Sequence, residues 1–392
     1  MVKLYGKPHT RLQIERRTGS LLQFAGIQQS VLNDGLERGI RCLDFRTGTG
    51  FQFKVLIDRA MDVGPVEFCG AAIGWQSPTG FRHPGLHEYN DEGGLSWLRS
   101  LSGFMQTGGL DHTLFMDADP ADHYPYVHRN TVDSSLHGRI ANIPAKLSGY
   151  GESWDGDECT LWCEGVITQA AVFGEDLQLI RRIEAKMGES AFTVKDRVVN
   201  HGFYRTPHMF LYHINIGYPV LDEGSKLLAP IKHTIWASHE ENLKDQGVGY
   251  YTMPAPLENF HEQVYEHAIV AEDDGTVPVA LVNPGFKDNQ GLGLLIEFNK
   301  NEFPSVFEWQ NFQEGSYALA IEPSSNHVFG KPFAKERGEL RWLEHGESCE
   351  YTTRFQVLAN NDEISNTRNR INNICQQPEE EFPKITGNWN DE

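Results

Sequence analysis

The chain is short of positive charge. Its 392 residues carry 34 Lys and Arg against 54 Asp and Glu, a formal net charge of −20. Nucleic acids and anionic membrane surfaces are held through cationic patches, so this balance argues against both as partners. It also disfavours a polyanionic substrate, with Arg181, Arg182 and Arg205 as the residues that would supply a phosphate clamp. No run of about 18 apolar residues appears, so no membrane-crossing helix is expected. The opening residues, MVKLYGKPHTRLQIERR, are charged from Lys3 and lack the apolar stretch and small-residue cleavage site of a secretory signal. The six cysteines are scattered without a CxxC pair, so neither a zinc cluster nor a disulfide framework is indicated. Reduced, mostly buried thiols and a cytoplasmic location are the expectation.

Familiar catalytic signatures are missing too. There is no Gly-rich phosphate loop and no GxSxG elbow. His83 and His87 are four apart but enclose Pro84 and Gly85, which do not make a rigid helical ligand pair, so no metal site is expected. Helical periodicity is sparse. Residues 360–375, NNDEISNTRNRINNIC, predict one helix from an Asn/Asp cap region, and residues 92–105, EGGLSWLRSLSGFM, predict another. The βαβα alternation of a parallel sheet is absent.

Strand signal is abundant. Stretches such as GIRCLDFR, ECTLWCEGVITQAAV, AFTVKDRVVN, GLGLLIEFN and CEYTTRFQVL are rich in β-branched and aromatic residues and are bounded by turn formers. Eight Trp, 13 Tyr and 22 Phe supply a large core. The expected fold is all-β, a large antiparallel sandwich with few short helices. It forms one domain over residues 1–392, with an N-terminal extension at 1–30 and a polar, acidic, loosely packed tail at 378–392. The irregular stretch 77–94 reads as a loop at the wall of a site.

Four stretches carry candidate chemistry. In LYHINIGYPVL, Phe210, Tyr212, Ile214 and Ile216 share one strand face, which leaves His213 and Asn215 on the other, facing solvent or a groove. In YALAIEPSSNH, Ala318, Ala320 and Glu322 share a face; small residues leave room above the sheet and the carboxylate ends that space, unless it is an edge glutamate in water. In VFEWQNF, Trp309 shares a face with Phe307, as core or as a platform for sugar C–H groups. His137 precedes a glycine that permits a tight turn. Asp111 and His112 follow two glycines, and Arg59 lies near Asp62 at a strand end, where an ordinary ion pair is the plain alternative.

Taken together, DRAMDVG, SPTG, GGLDHT, LHGRIANIPA, VVNHG, MFLYHINIGYPVL and YALAIEPSSN, in that order, resemble the aldose 1-epimerase (galactose mutarotase-like) superfamily, in a bacterial aldose 1-epimerase-like branch. The resemblance spans residues 58 to about 330. It implies a β-super-sandwich with its site on the concave face of a sheet. It implies His213 as general acid, Glu322 as general base and His137 as a second active-site histidine, with His112, Arg59 and Trp309 as further substrate-binding residues. The implied reaction is the interconversion of the α and β anomers of a free aldose or aldose derivative, with no metal or redox cofactor. The expected partner is a small sugar; nucleic acid and membrane are not, and a homodimer is the assembly considered. The acidic substrate motif of galactose mutarotases is not recognisable between His213 and Glu322. The nearest polar loop, GFKDNQGLG at 285–293, does not match it, so galactose is not implied. Two other classes stand beside this one. A non-catalytic sugar-binding or sensor protein would keep the groove without turnover. A lyase, hydrolase or other sugar isomerase would use the same fold differently, a hydrolase needing a second carboxylate such as Glu308 beside Glu322.

Overall fold

Alternation of apolar and polar residues builds two large antiparallel sheets. The computed structural model describes residues 1–125, 129–239, 248–378 and 381–390. One sheet has eight strands, running from Lys146–Asp155 at one edge through Glu158–Ala170, Asp176–Lys186, Ala191–Asn200, Ser348–Leu358, Leu292–Asn299 and Thr276–Asn283 to Lys226–Leu228. The other has twelve. Its main path runs Ile231–Ala237, Gln263–Ile269, Ser305–Asn311, Ala318–Ser324, Thr206–Ile216, Met105–Leu110, Asp62–Phe68, Phe51–Leu56, Arg41–Arg46, Gly26–Val31. The inner faces meet in one core, where Phe53 of the larger sheet and Phe104, just before its strand Met105–Leu110, pack on Phe192 and Phe355 of the smaller. This is the all-β sandwich that the strand signals predict.

The strand Thr206–Ile216 lies in the middle of the larger sheet and is buried at every position. Phe210, Tyr212, Ile214 and Ile216 enter the inter-sheet core, while Leu211 packs outward against Leu114, Phe307 and Val328. The face that holds His213 is therefore a covered groove and not open solvent.

The helix predicted over 360–375 forms as Asn361–Ile374, with the Asn360 side chain accepting from the Glu363 N–H. The helix predicted over 92–105 does not form. Glu92 and Gly93 take positive φ, and the segment breaks into the short turns Asp91–Gly94 and Ser96–Arg99 before a strand starts at Met105. A helix the pattern did not reveal, Gly330–Arg337, caps the outer face. The N-terminal extension packs on its own chain, with Val2, Leu4 and Ile14 in the main core. The tail is less loose than expected. Thr386 and Gly387 donate to the carbonyls of Thr234 and Ile235, and Trp389 packs on His327 and Phe333. Among the described residues no helix is long and apolar enough to cross a membrane. All six cysteines are free, four of them buried.

Candidate active site

Strand register brings the two reactive groups together. Leu211 pairs with Ser324 and Ile214 with Ile321, which brackets His213 opposite Glu322 on the neighbouring strand. Residues directly opposite on one face of an antiparallel pair are side-chain neighbours. His213 Nε2 lies 3.2 Å from Glu322 Oε1, with both side chains almost wholly buried. Ala320, opposite both Asn215 and Trp309, keeps the floor beside them low.

The tautomer of His213 is set from behind. Asn215 Nδ2 donates to the carbonyls of Gly103 and His213, so its oxygen faces the ring and accepts from His213 Nδ1–H at 2.6 Å. Nε2 is thus the atom offered to Glu322. Burial pushes His213 down to about 4 and lifts Glu322 well above the usual carboxylate range, with Glu262 adding to the lift. Burial therefore disfavours the charged form of each group, which favours a protonated Glu322 carboxyl beside a neutral imidazole.

His137 completes the floor. It sits in a left-handed turn, φ 54°, against the strand Met105–Leu110. Its carbonyl accepts from Gly109 N–H and its own N–H donates to Leu114. Gly138, φ 75°, is required there, because a Cβ would come within 2.4 Å of the Gly109 oxygen and 2.6 Å of the His112 oxygen. Burial, with His213 beside it, holds His137 well below its ordinary value, so its ring is neutral.

Aromatic rings wall the group in. Trp97 lies 4.5 Å from the His137 ring and 5.3 Å from that of His213, centroid to centroid, and Trp309 lies 5.2 Å from His213. The Trp309 indole N–H donates to Glu262 at 3.0 Å. Together they enclose a cavity of about 180 Å³ over His137, His213 and Glu322. Larger hollows of about 710 and 440 Å³ lie elsewhere on the surface and bring no histidine against a carboxylate. A hollow of about 390 Å³ holds the pair Glu266–His327, but that carboxylate already accepts from the Val328 N–H as well.

The donor atoms of His137, His213 and Glu322 lie within 4.8 Å of one another, a spacing a metal ion could use. The tautomers fit proton transfer better. His137 Nδ1 faces the Leu114 N–H at 3.4 Å, which favours the Nε2–H tautomer, a donor, over a ring that offers its Nε2 lone pair to a metal.

Of the residues the sequence singled out, His213, Glu322, His137 and Trp309 converge on one cavity. Arg59 and His112 do not line it. Arg59 is buried beside it, donating to the Ser100 carbonyl and Gln106. His112 Nε2 bonds the Phe115 carbonyl and so braces the rim. Asp62 pairs with Arg181 instead of Arg59. Glu308 faces away from Glu322, toward His267 and Gln310, so it is not the second carboxylate of a hydrolase. The loop 77–94 itself does not line the cavity; Leu95, Trp97, Leu98 and Leu101, which follow it, do. GFKDNQGLG lies at the start of a strand of the eight-stranded sheet, away from the site. Trp97 and Glu262 are among the lining residues that sequence reasoning missed. Trp97 was hidden inside a helical pattern that does not form. Glu262 shares the alternation of Val264, a weak signal at a strand end.

The two packed antiparallel sheets have the architecture of a galactose mutarotase-like β-sandwich. A candidate aldose 1-epimerase from Klebsiella pneumoniae superposes with a TM-score of 0.80 at 23% identity, covering 92% of this chain and 90% of that one. A galactose mutarotase-like protein from Clostridium acetobutylicum gives 0.57 at 12% identity over 86% of this chain and 99% of that one. A galactose 1-epimerase from Lactobacillus acidophilus gives 0.50 at 12% identity, covering 85% and 99%. These likenesses establish the fold. No curated protein matches the chain in sequence. The family described as "Domain of unknown function (DUF4432)" matches residues 37–357, and the chain belongs to it.

Proposed function

We propose that this protein is a cofactor-free aldose 1-epimerase, a mutarotase that interconverts the anomers of a free aldose. The observation that carries the reading is the buried His213–Glu322 pair, 3.2 Å apart on the floor of an aromatic-walled cavity. Mutarotation consumes no proton overall but needs one acid and one base at once, and a pair holding a single proton supplies both. The carboxylic acid of Glu322 gives its proton to the ring oxygen as the C1–O5 bond breaks. His213 Nε2 takes the proton of the anomeric hydroxyl as C1=O1 forms. The open chain then faces a carboxylate and an imidazolium. After rotation about C1–C2, O5 attacks the other face of C1, the carboxylate removes its proton, and the imidazolium protonates O1. The pair returns to its starting state. The superfamily resemblance gives the opposite starting roles, with the proton on His213; the proton count of the pair is the same, and burial favours Glu322 as its resting place.

His137 offers its Nε2–H to a substrate oxygen, and Trp97 and Trp309 present rings to the C–H faces of a sugar. Six free cysteines fit a cytoplasmic enzyme of carbohydrate metabolism. The test is NMR magnetisation exchange between α and β anomers across a panel of aldoses, with wild type and Glu322→Gln side by side. Faster exchange that the variant loses supports the reading. Saturable binding of a sugar without exchange would make the protein a binder or sensor instead.

A further inference from the structure

The cavity over His213 and Glu322 is poor in partners for hydroxyl groups. Leu98, Leu101, Leu114, Met116, Leu136 and Phe307 are among its lining residues, and the polar side chains that reach it are His137, His213, Glu262 and Glu322. The proposed chemistry engages His213 and Glu322 with the anomeric and ring oxygens. His137 has its Nδ1 taken by the Leu114 N–H, and Glu262 accepts from Trp309. The Trp97 indole N–H is buried and has no partner among the described residues, so it adds no exposed donor to the cavity. A fully hydroxylated aldose brings a hydroxyl on almost every remaining carbon, each a donor and an acceptor. A hydroxyl buried against Leu, Met or Phe loses water and gains nothing in return.

Charge and size narrow the choice further. No Lys or Arg is among the lining residues, and Glu262 stands at the mouth. Arg181 is locked to Asp62 and Asp196, and neither Arg182 nor Arg205 lines the cavity, so the arginines that would clamp a phosphate stand elsewhere. A space of about 180 Å³ is below the roughly 300–1,000 Å³ of typical ligand pockets, which suits a small ligand at the His213–Glu322 pair.

Resting on the mutarotase reading, we infer that the substrate is an uncharged deoxy-aldose, a monosaccharide in which hydrogen replaces at least one hydroxyl. The missing hydroxyl lies against the apolar lining, which includes Leu98, Leu101 and Met116, and the remaining ones reach His137 and Glu262. Each hydroxyl forced into the apolar wall is expected to cost about tenfold in kcat/KM or more.

Matched pairs test this: 2-deoxyribose against ribose, 2-deoxyglucose against glucose, and 6-deoxygalactose against galactose. Each exchange rate is divided by the uncatalysed rate of the same sugar, since deoxygenation alters spontaneous opening. Binding of the same pairs to Glu322→Gln is read by saturation-transfer NMR. The expected result is a preference of tenfold or more for the deoxy member of at least one pair, in both readouts. Met116→Gln and Leu98→Asn, at half-exposed rim positions, should narrow that preference. Catalysed exchange with the parent sugars equal or better in every pair would overturn the inference and leave the mutarotase reading standing. Preferential deoxy-sugar binding without exchange would do the reverse. Neither binding nor exchange would overturn both.

Discussion

The strand Thr206–Ile216 carries a buried ionisable cluster on each face, and the two clusters are built to opposite specifications. On the inner face Tyr212 donates to Asp196, which is paired with Arg181. All the N–H groups of Arg181 are engaged, by Asp196, Asp62, Thr107 and the Ala60 carbonyl. On the outer face His213 meets Glu322, and among the described residues Glu322 has no other hydrogen-bond or ion-pair partner. A charge that is fully paired has its protonation fixed. A carboxylate and an imidazole that share one proton, with no cation paired to the carboxylate, can pass it on. On the mutarotase reading proposed above, the saturated cluster supports the sandwich and the unsaturated one is the pair left free to exchange a proton.

Breaking the outer cluster has the largest expected effect. Glu322→Gln and His213→Gln each lower catalysed anomer exchange by about 10²- to 10⁴-fold while the circular dichroism spectrum stays that of wild type. Glu322→Gln should also raise stability at pH 8 relative to pH 4. The folded state holds the Glu322 proton more tightly than the unfolded chain does, so its stabilising contribution is present in acid and lost as pH rises. Denaturant melts at the two pH values read this; equal effects at both would mean that Glu322 titrates normally.

Breaking the inner cluster gives the opposite signature. Arg181→Met leaves Asp62 and Asp196 buried without their cation and costs about 3–5 kcal/mol, read as a lower urea midpoint. The folded fraction should retain its exchange rate. Loss of exchange at full stability would erase the distinction between the two faces.

A third change acts between them. Gly138→Ala forces a Cβ against the Gly109 and His112 oxygens and is expected to cost about 1–3 kcal/mol through backbone strain. It also displaces His137, so sugar affinity should fall more than the catalysed rate at saturation.

The pH profile sharpens the comparison further. Exchange should fall as pH drops toward about 4, where His213 gains a proton and the pair loses its base. It should fall again on the alkaline side, where Glu322 gives up its raised proton. His213 also makes stability decline as pH falls from its ordinary value of 6.5 through about 4, because the folded state binds fewer protons than the unfolded one. The smallest effect belongs to Glu262→Gln. It keeps an acceptor for Trp309 and removes the charge that helps lift Glu322, so the alkaline limb should move to lower pH with little change in maximal rate.

Period-two alternation told, from local sequence, which side chains share a face. It separated His213 from Tyr212 and Glu322 from Ile321, because side-chain direction in a strand depends only on position. The strands, the helix after Asn360 and the all-β class were legible for the same local reason. The segment 92–105 misled because Leu, Trp and Met at helical spacing look alike whether they line a helix or a cavity wall, and the positive φ of Glu92 leaves no mark in that spacing.

What the sequence by itself determined was thus each strand and the face each residue takes. Tertiary structure alone decided which faces meet. Strand neighbours distant in the chain set His213 against Glu322, turned Glu308 inward, spent Arg181 on two aspartates, and folded the 95–101 wall over the floor. Those outcomes rest on register and burial, and both are properties of the packed sheet that no single segment carries.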